Sequence, residues 1–599
     1  MGDLISQPGR QKFIVELLKP SHYDDDGYVI QWFRGSIPSN SLSALYGITL
    51  DASERKVLGD NVDIEITPRD ETNLTLPIKK IIRNFKRNNN RGIVFLVGVQ
   101  SNQFPRAMHI ARQLRAAGIQ VAIGGFHVSG CLAMLPEIPP DIQEAIDLGI
   151  TLFVGEAEGR IDDFLRAAYD GTLKPMYNYL AELPGMDGAT LPFLTKDHIS
   201  RYLGNIGSFD AGRGCPFSCS FCTIINVQGR KSRYRTADDV EHLMRQHASQ
   251  GVHSFFITDD NFARNKNWEA ILDRLIVMRR KEKIRLNITM QVDTLCHKIP
   301  NFIAKCERAG VKRIFIGLEN INPENLRIAS KGQNRITEYR KMLQAWRQQK
   351  IMTFAGYILG FPGDTPQSIE RDIEIIKREL PIDILEFFIL TPLPGSQDHK
   401  EMYLKGARLD PDMNRYDLEH VTSDHGSMTS EEMAAIYDRA WHLYYTPEHI
   451  QTLMKRNIAS GGRSSRMAAM IFYYYGCYLH EGVHPLQGGA FRRKVRSQRR
   501  PGMPIENPLV FYPKRLAEIA KVYGRAGLYA LWLERVRRRC EADPKKMEYI
   551  DLATTPVTDE TAEELQMYEL NDSSRAAVEQ AKARQRRANR TSSPAQAAS

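Results

Sequence analysis

Cysteine is scarce: eight residues in a chain of 599, too few and too unevenly spread for a disulfide scaffold. No run approaches the ~18–20 apolar residues that a membrane span requires. "MAAMIFYYYGCYL" (Met467 to Leu479) is too short to cross and reads as a buried helix. The start, "MGDLISQPGRQKF", has no apolar core of a secretory signal, and a reducing, cytoplasmic setting is expected. Met1-Gly2 with Ser6 formally matches a myristoylation pattern, but a match this short carries no weight. No G-x-G-x-x-G opens a helix and no P-loop is present, which counts against a dinucleotide or nucleoside triphosphate. Charge is not balanced either. The net charge is +10, with the excess late, in "FRRKVRSQRR" (Phe491 to Arg500) and "ERVRRRC" (Glu534 to Cys540). Aromatics do not interleave with these arginines as a single-strand platform requires, so nucleic acid is not an expected partner. A solvated basic face is the plain reading, and peripheral contact with an anionic membrane is compatible with it.

What is present suits a globular chain of roughly three to four domains, 42% hydrophobic. Over 1–175, strands ("KFIVELL", "GIVFLVGVQ", "IQVAIGG", "TLFVGE") alternate with helices ("LTLPIKKIIRNFKR", "FPRAMHIARQLRAAG", "GRIDDFLRAAY"). That rhythm predicts a doubly wound, Rossmann-like parallel sheet whose ligands sit beyond the strands' carboxyl ends. A Pro- and Gly-rich stretch, 176–204, reads as a linker. Over 205–400, six strands follow ("GSFDAGR", "HSFFITDDN", "LNITMQVD", "RIFIGLEN", "TFAGYILGF", "ILEFFILTPLP"), which predicts an α/β partial (β/α)6 barrel. Residues 401–572 read as a mainly helical domain, and 573–599 lack apolar anchors and read as a disordered tail. No internal repeat of fixed period is found.

Three of the eight cysteines crowd into "GRGCPFSCSFCT": Cys215, Cys219 and Cys222, at the mouth of the expected barrel. Three thiolates in one loop can hold three irons of a 4Fe-4S cubane and leave the fourth open to a substrate or cofactor. A zinc knuckle is the alternative, but it wants a second ligand pair and none lies within reach. A purely electron-transferring cluster would want a fourth cysteine. Phe221 could pack over a flat ligand such as adenine. The other five cysteines (Cys131, Cys296, Cys306, Cys477, Cys540) are scattered and read as ordinary thiols.

The run from Cys215 to Cys222 resembles the CxxxCxΦC signature of the radical S-adenosylmethionine (SAM) superfamily, and Arg213-Gly214 before it resembles the form found in that family's cobalamin-binding branch. "TDDNF", "IGLEN", "GYILGFPGDT" and "TPLPGS" resemble the later barrel motifs. The resemblance implies Cys215, Cys219 and Cys222 as cluster ligands. It implies Phe221, Asp259, Asp260, Asn261, Glu319 and Gly360 as SAM-binding, the Asp/Asn trio toward the methionine end and Glu319 toward the ribose. "GGFHVS" and "VGEAEG" are similar to motifs of the cobalamin-binding fold that precedes such barrels, which implies Gly98, Gln100, Gly124, Gly125 and His127 around cobalamin. In "KPSHYDDDG" the DxHxxG pattern is missing, so His22 is not assigned as a lower ligand.

The function so implied is a cobalamin-dependent radical SAM methyltransferase, acting through a 5′-deoxyadenosyl radical on an unactivated carbon of a small or lipid-like molecule. An electron donor such as flavodoxin or ferredoxin would be its partner. A radical SAM cyclase or oxidoreductase is the nearest alternative, and a zinc-knuckle nucleic-acid-binding or sensor protein is the non-enzyme one. A methylthiotransferase would need an N-terminal cysteine trio, and Cys131 is the only cysteine before Cys215.

Overall fold

Alternate residues of a strand point to opposite faces, and the first strand uses both. Phe13, Val15 and Leu17 enter one core with helices Asn40–Glu54 and Ile161–Asp170; Ile14 and Leu18 enter another with Ile78–Arg87 and Phe104–Ala116. In this computed structural model, which describes residues 10–558 and 565–591, the result is a doubly wound sheet of six strands. Their order is Val62–Asp70, Gln11–Lys19, Gly92–Leu96, Gln120–Gly124, Thr151–Val154, Met176–Asn178, all parallel. Chain order reverses between Gln11–Lys19 and Gly92–Leu96, which puts a ligand crevice beyond Lys19 and Leu96.

Two parts of this sheet go beyond the sequence reading. Val62–Asp70 pairs along its whole length with Gln11–Lys19; being an edge strand it is half exposed, so its apolar pattern is weak. Met176–Asn178, at the head of the expected linker, closes the other edge.

The second sheet runs Ile206–Phe209, Ser254–Ile257, Asn287–Val292, Val311–Glu319, Met352–Leu359, Ile384–Ile389. Every neighbour is consecutive and parallel, as repeated β/α units with right-handed crossovers build it. The first strand stops at Phe209, short of the expected Arg213. Gly212–Arg213 instead pairs antiparallel with Arg233–Tyr234, which turns the following loop across the barrel end.

Helices Ser430–Tyr444, Pro447–Ala459, Ser464–Gly476 and Pro508–Ala542 pack on the barrel and share its apolar core through residues such as Trp441, Leu453, Ile471 and Leu533. The expected disordered tail from 573 carries a helix, Asp572–Thr591. Asn571 Nδ2 donates to Asn322 Oδ1 at 3.0 Å, Ser574 is buried, and Val578 packs on the barrel core, so a few anchors suffice where the composition offered little. Residues 592–599 of that tail lie outside the described residues. The first basic stretch is not a solvated face. Arg492 is buried against Asp24 at 2.9 Å and Lys494 reaches Asp26, both in the "YDDDG" loop, while Arg500 grips Asp412 at 2.7 Å, so acidic partners absorb these charges. Among the described residues no helix is long and apolar enough to cross a membrane.

Candidate active site between the two sheets

The carboxyl ends of both sheets face one cavity of about 570 Å³. Lys19, His22, Gly98 and Gln100 line it from the first domain, and Asp210, Thr258 and Asp260 from the barrel. Its third wall comes from beyond the barrel: Tyr416 to Leu418 and His484 to Gly488.

The cysteine loop sits on the barrel side. Asp259 holds its entry, accepting hydrogen bonds from the backbone N–H of Ala211 (2.6 Å) and Gly212 (2.8 Å) and from Asn265 Nδ2 (3.0 Å). Gly214 follows at φ +87°, where an added Cβ would lie 2.9 Å from the Gly229 carbonyl. The N–H of Cys215 donates to that same carbonyl, and the N–H of Cys222 to Cys219 O at 3.2 Å. Burial pushes the Cys215 and Cys222 thiols up to about 11 and about 12, although the N–H groups of Ile224 and Ile225 favour a Cys222 thiolate. Without a metal these sulfurs therefore stay protonated; a cluster would hold them as thiolates. Among the described residues no three His, Cys, Asp or Glu side chains are arranged to hold a single metal ion, which a zinc knuckle requires. Three thiols four and three residues apart in one loop suit separate corners of a cubane.

The expected SAM-site residues divide. Asp260 lines the cavity, accepting from Gly214 N–H at 3.2 Å, and burial raises its carboxyl to about 7. Thr223 and Ile224, directly after the last cysteine, line it too. Asn261 donates to Asp293 at 2.9 Å and keeps its Oδ1 buried without a partner. Asp259, in contrast, spends both oxygens on the loop and is a positioning group. Glu319 is ion-paired to Lys331 at a break in strand register and adopts φ +63°. Gly360 makes a turn at φ +93°, where a Cβ would sit 2.6 Å from His425 Nδ1, so its form follows from packing. Phe221 packs with Ile358, Phe361 and Phe388 between loop and barrel.

Sequence reasoning missed Lys331. It is buried, its Nζ lies 5.5 Å from the Phe221 ring, and Glu319 and the nearby cysteine sulfurs favour its charged form against the cost of burial. Next to it, Gln333 Nε2 donates to Cys219 Sγ at 3.5 Å. The run "SKGQN" was the signal. A buried cation and an amide donor beside three sulfurs suit an electron-rich cluster.

In the first domain, Gly98, Gly124 and Gly125 border a second, apolar slot of about 160 Å³ lined by Leu45, Ile48, Phe95 and Phe153. Gly98 lines both spaces, so the slot continues the cavity inward. The buried His22 Nε2 and Asn40 Oδ1 have no partner there, and burial lowers His22 to about 4. A roomy cavity, a narrow apolar slot and unpartnered polar atoms fit a ligand with a polar body and a flat heterocyclic tail, as cobalamin has. His127 does not face it: its ring bonds Ser101 (3.1 Å) and Asp141 (2.9 Å) within the domain. Gly125 is demanded by the backbone, because at φ +147° its Cβ would lie 2.1 Å from Val99 N. Gly125→Ala is therefore expected to destabilise by about 1–3 kcal/mol from backbone strain, and by more through the clash. A thermal melt will register it, whereas Gly185→Ala, with no atom within 4 Å, should leave the melt unchanged.

One ion-pair network bolts the two sheets together and was not foreseen. Arg213, beside the cysteine loop, binds Asp210 of its own strand end and reaches Glu156 (2.7 Å) and Glu158 (2.6 Å) of the first domain's "GEAEG". Arg233 adds a bond to Glu156 at 2.8 Å.

The barrel also holds a buried acid with no counter-charge. Among the described residues both Glu386 oxygens lack partners, and burial raises its carboxyl to about 8. His484 Nε2 is 4.0 Å away and, itself lowered to about 3 by burial, is neutral. Between the ordinary 4.5 and about 8 the folded protein keeps a proton that the unfolded chain has released, so stability falls as pH rises through that window. Glu386→Gln removes this loss. Its melting temperature is expected to match the parent's near pH 5 and to exceed it near pH 8, by an amount on the order of a few kcal/mol in stability.

The sequence profile of the radical SAM superfamily matches residues 211–376. A bacteriochlorophyllide d C-12(1)-methyltransferase of Chlorobaculum tepidum is 27% identical over 336 residues, covering 55% of this chain and 69% of the relative. A hopanoid C-2 methylase of Rhodopseudomonas palustris is 25% identical over 366 residues, covering 59% and 65%. In fold, the chain is similar to the radical SAM methyltransferase TsrM of Kitasatospora setae, solved with cobalamin and a 4Fe-4S cluster. The TM-score is 0.55 at 14% identity, over 76% of this chain and 97% of that one. The matched segment opens four residues before Cys215 and ends within helix Pro366–Glu379, so the cysteine loop and the barrel strands from Ser254–Ile257 to Met352–Leu359 are similar to a radical SAM domain.

Proposed function

We propose that this enzyme is a cobalamin-dependent radical SAM methyltransferase that adds a methyl group to an unactivated carbon of a small or lipid-like molecule. The observation that carries the reading is the shared cavity, with Arg213, Thr223 and Ile224, which flank the cysteine loop, on one side and the glycine-bordered slot on the other. In that site the cluster supplies the electron that splits the SAM carbon–sulfur bond, and cobalamin carries the methyl group. The chain's own residues do the rest. Cys215, Cys219 and Cys222 would hold the cluster, the Lys331 cation would offset its negative charge, and the Gln333 amide would donate a hydrogen bond to the Cys219 sulfur. Asp260 and Asn261 offer acceptors to an ammonium group. Phe221 offers a face to a planar base, and Gly98 with Gly124 leaves room for a ligand close to the backbone. The C-terminal wall, from Tyr416 to Leu418 and His484 to Gly488, shapes the substrate end. A reduced flavodoxin or ferredoxin is the partner this chemistry needs.

The test is anaerobic assembly with iron, sulfide and hydroxocobalamin, followed by SAM and dithionite. The reading expects 5′-deoxyadenosine and, with the correct substrate, a product heavier by one methylene. Deoxyadenosine with a product of unchanged carbon count would turn it to cyclisation or oxidation; no deoxyadenosine would end it.

A further inference from the structure

The helix Pro508–Ala542 carries apolar side chains on two faces, one packed inward and one, from Leu509 to Leu531, turned outward. Phe511, Tyr529, Leu533 and Cys540 pack inward, Phe511 against Tyr28 at 5.6 Å. On the opposite face Leu509 is 84% exposed, Leu516 67% and Leu531 59%, and Leu528 beside them 70%. Leu509 and Leu516 are seven residues apart, nearly two turns, and so share a face. Alanine and glycine (Ala520, Gly524, Gly527) fill the stripe between them and Leu531. Lys514, Lys521 and Arg525, spaced at seven and four residues, line one edge. The acidic Glu518 turns inward to Lys494 (3.0 Å) and Arg515 (2.9 Å). Lys514 meets Glu506, but among the described residues Lys521 and Arg525 form no ion pair.

We infer that this helix lies flat on an anionic lipid bilayer, with the leucine stripe in the acyl boundary and the cations at the headgroups. Exposed apolar area this large on one face marks an interaction surface, and a helix of this pattern lies in the interface plane and does not span it. Charge selects the occupant. A second copy docked by two-fold symmetry would bring the same cations face to face, whereas anionic headgroups neutralise them. The helix is also rigidly coupled to the cavity wall. Tyr523 Oη accepts from Arg492 N–H at 2.7 Å and Arg515 donates to Arg492 O, on the strand Gly489–Arg493 that directly follows the cavity-lining residues His484 to Gly488. Docking therefore holds the substrate end of the cavity beside the bilayer.

The full-length protein is sedimented with vesicles of phosphatidylcholine alone or mixed with phosphatidylglycerol. Binding is expected to the mixed vesicles, to weaken in high salt, and to be lost in Leu509→Glu/Leu516→Glu/Leu531→Glu. Lys521→Glu/Arg525→Glu should lower partition by roughly thirtyfold or more. These side chains are exposed, and a thermal melt establishes that the variants fold. Three outcomes overturn the inference: no sedimentation with the mixed vesicles, equal sedimentation of parent and leucine variant, or light scattering that finds a dimer which the leucine variant dissolves.

Discussion

Cys222→Ser protein, assembled anaerobically with iron and sulfide, is expected to come out without the intact cluster and to form 5′-deoxyadenosine only at background. The reason is local. The thiol is buried and held up to about 12, and a serine hydroxyl in the same place would give up its proton far less readily. Two sulfurs would remain on a loop whose course is fixed by Asp259, Gly214 and Gly229, and that loop offers no further thiol to take the vacant place. Loss of an outer partner of a metal ligand costs about 10- to 100-fold, and loss of the ligand itself should cost more. Because the first domain has two apolar cores of its own, the variant should still take up hydroxocobalamin, which separates a missing cluster from a misfolded chain. Cys131→Ser, buried in the first domain away from the loop, should keep full iron and sulfide content. An undiminished cluster in Cys222→Ser would falsify the ligand assignment.

What the sequence revealed and what it hid follow from the same physics. The six barrel strands were legible because each is a short apolar run between turn signals, with at least alternate residues buried. Val62–Asp70 was not, because an edge strand needs only half that pattern. The cysteine spacing is a local signature and was read directly. Asp260, Gly98 and Gln100, named by the rule that strand ends carry ligands, line the cavity. The same rule put His127, Asp259 and Gly360 there as well, yet whether a strand-end group faces the ligand or its own backbone depends on neighbours far away in sequence. His127 meets Asp141, Asp259 meets Ala211, and Gly360 meets His425. Lys331 and Glu386 carry no motif at all. They stand out only when burial and the absence or presence of a partner can be seen.

Arg213→Met is expected to cost about 3–5 kcal/mol and to uncouple the two sheets. Removing one side of a buried ion network leaves the other charges desolvated and unpaired, and here Asp210, Glu156 and Glu158 would share only Arg233 and Arg235. Burial alone would raise the Asp210 and Glu158 carboxyls; the Arg213 guanidinium, joined by Arg235 at Asp210 and by backbone hydrogen bonds at both, more than offsets it and holds both below their ordinary range. The sign of the pH dependence follows. A depressed folded pKa contributes stability above the unfolded value, and that contribution disappears as pH falls through the folded one. The parent should therefore lose stability steeply on acidification below about pH 4, and Arg213→Met should already lack that part at pH 7. Calorimetry at pH 7 should resolve the parent as one cooperative transition across both domains. The variant should give two, the first domain and the barrel melting apart, with cobalamin lost in the lower one. Glu156→Gln/Glu158→Gln in the Arg213→Met background should recover part of the loss, because it removes carboxylates that no longer have their partner. A variant that melts as the parent does, in one step at the same temperature, would show that the sheets are held together by their apolar contacts alone.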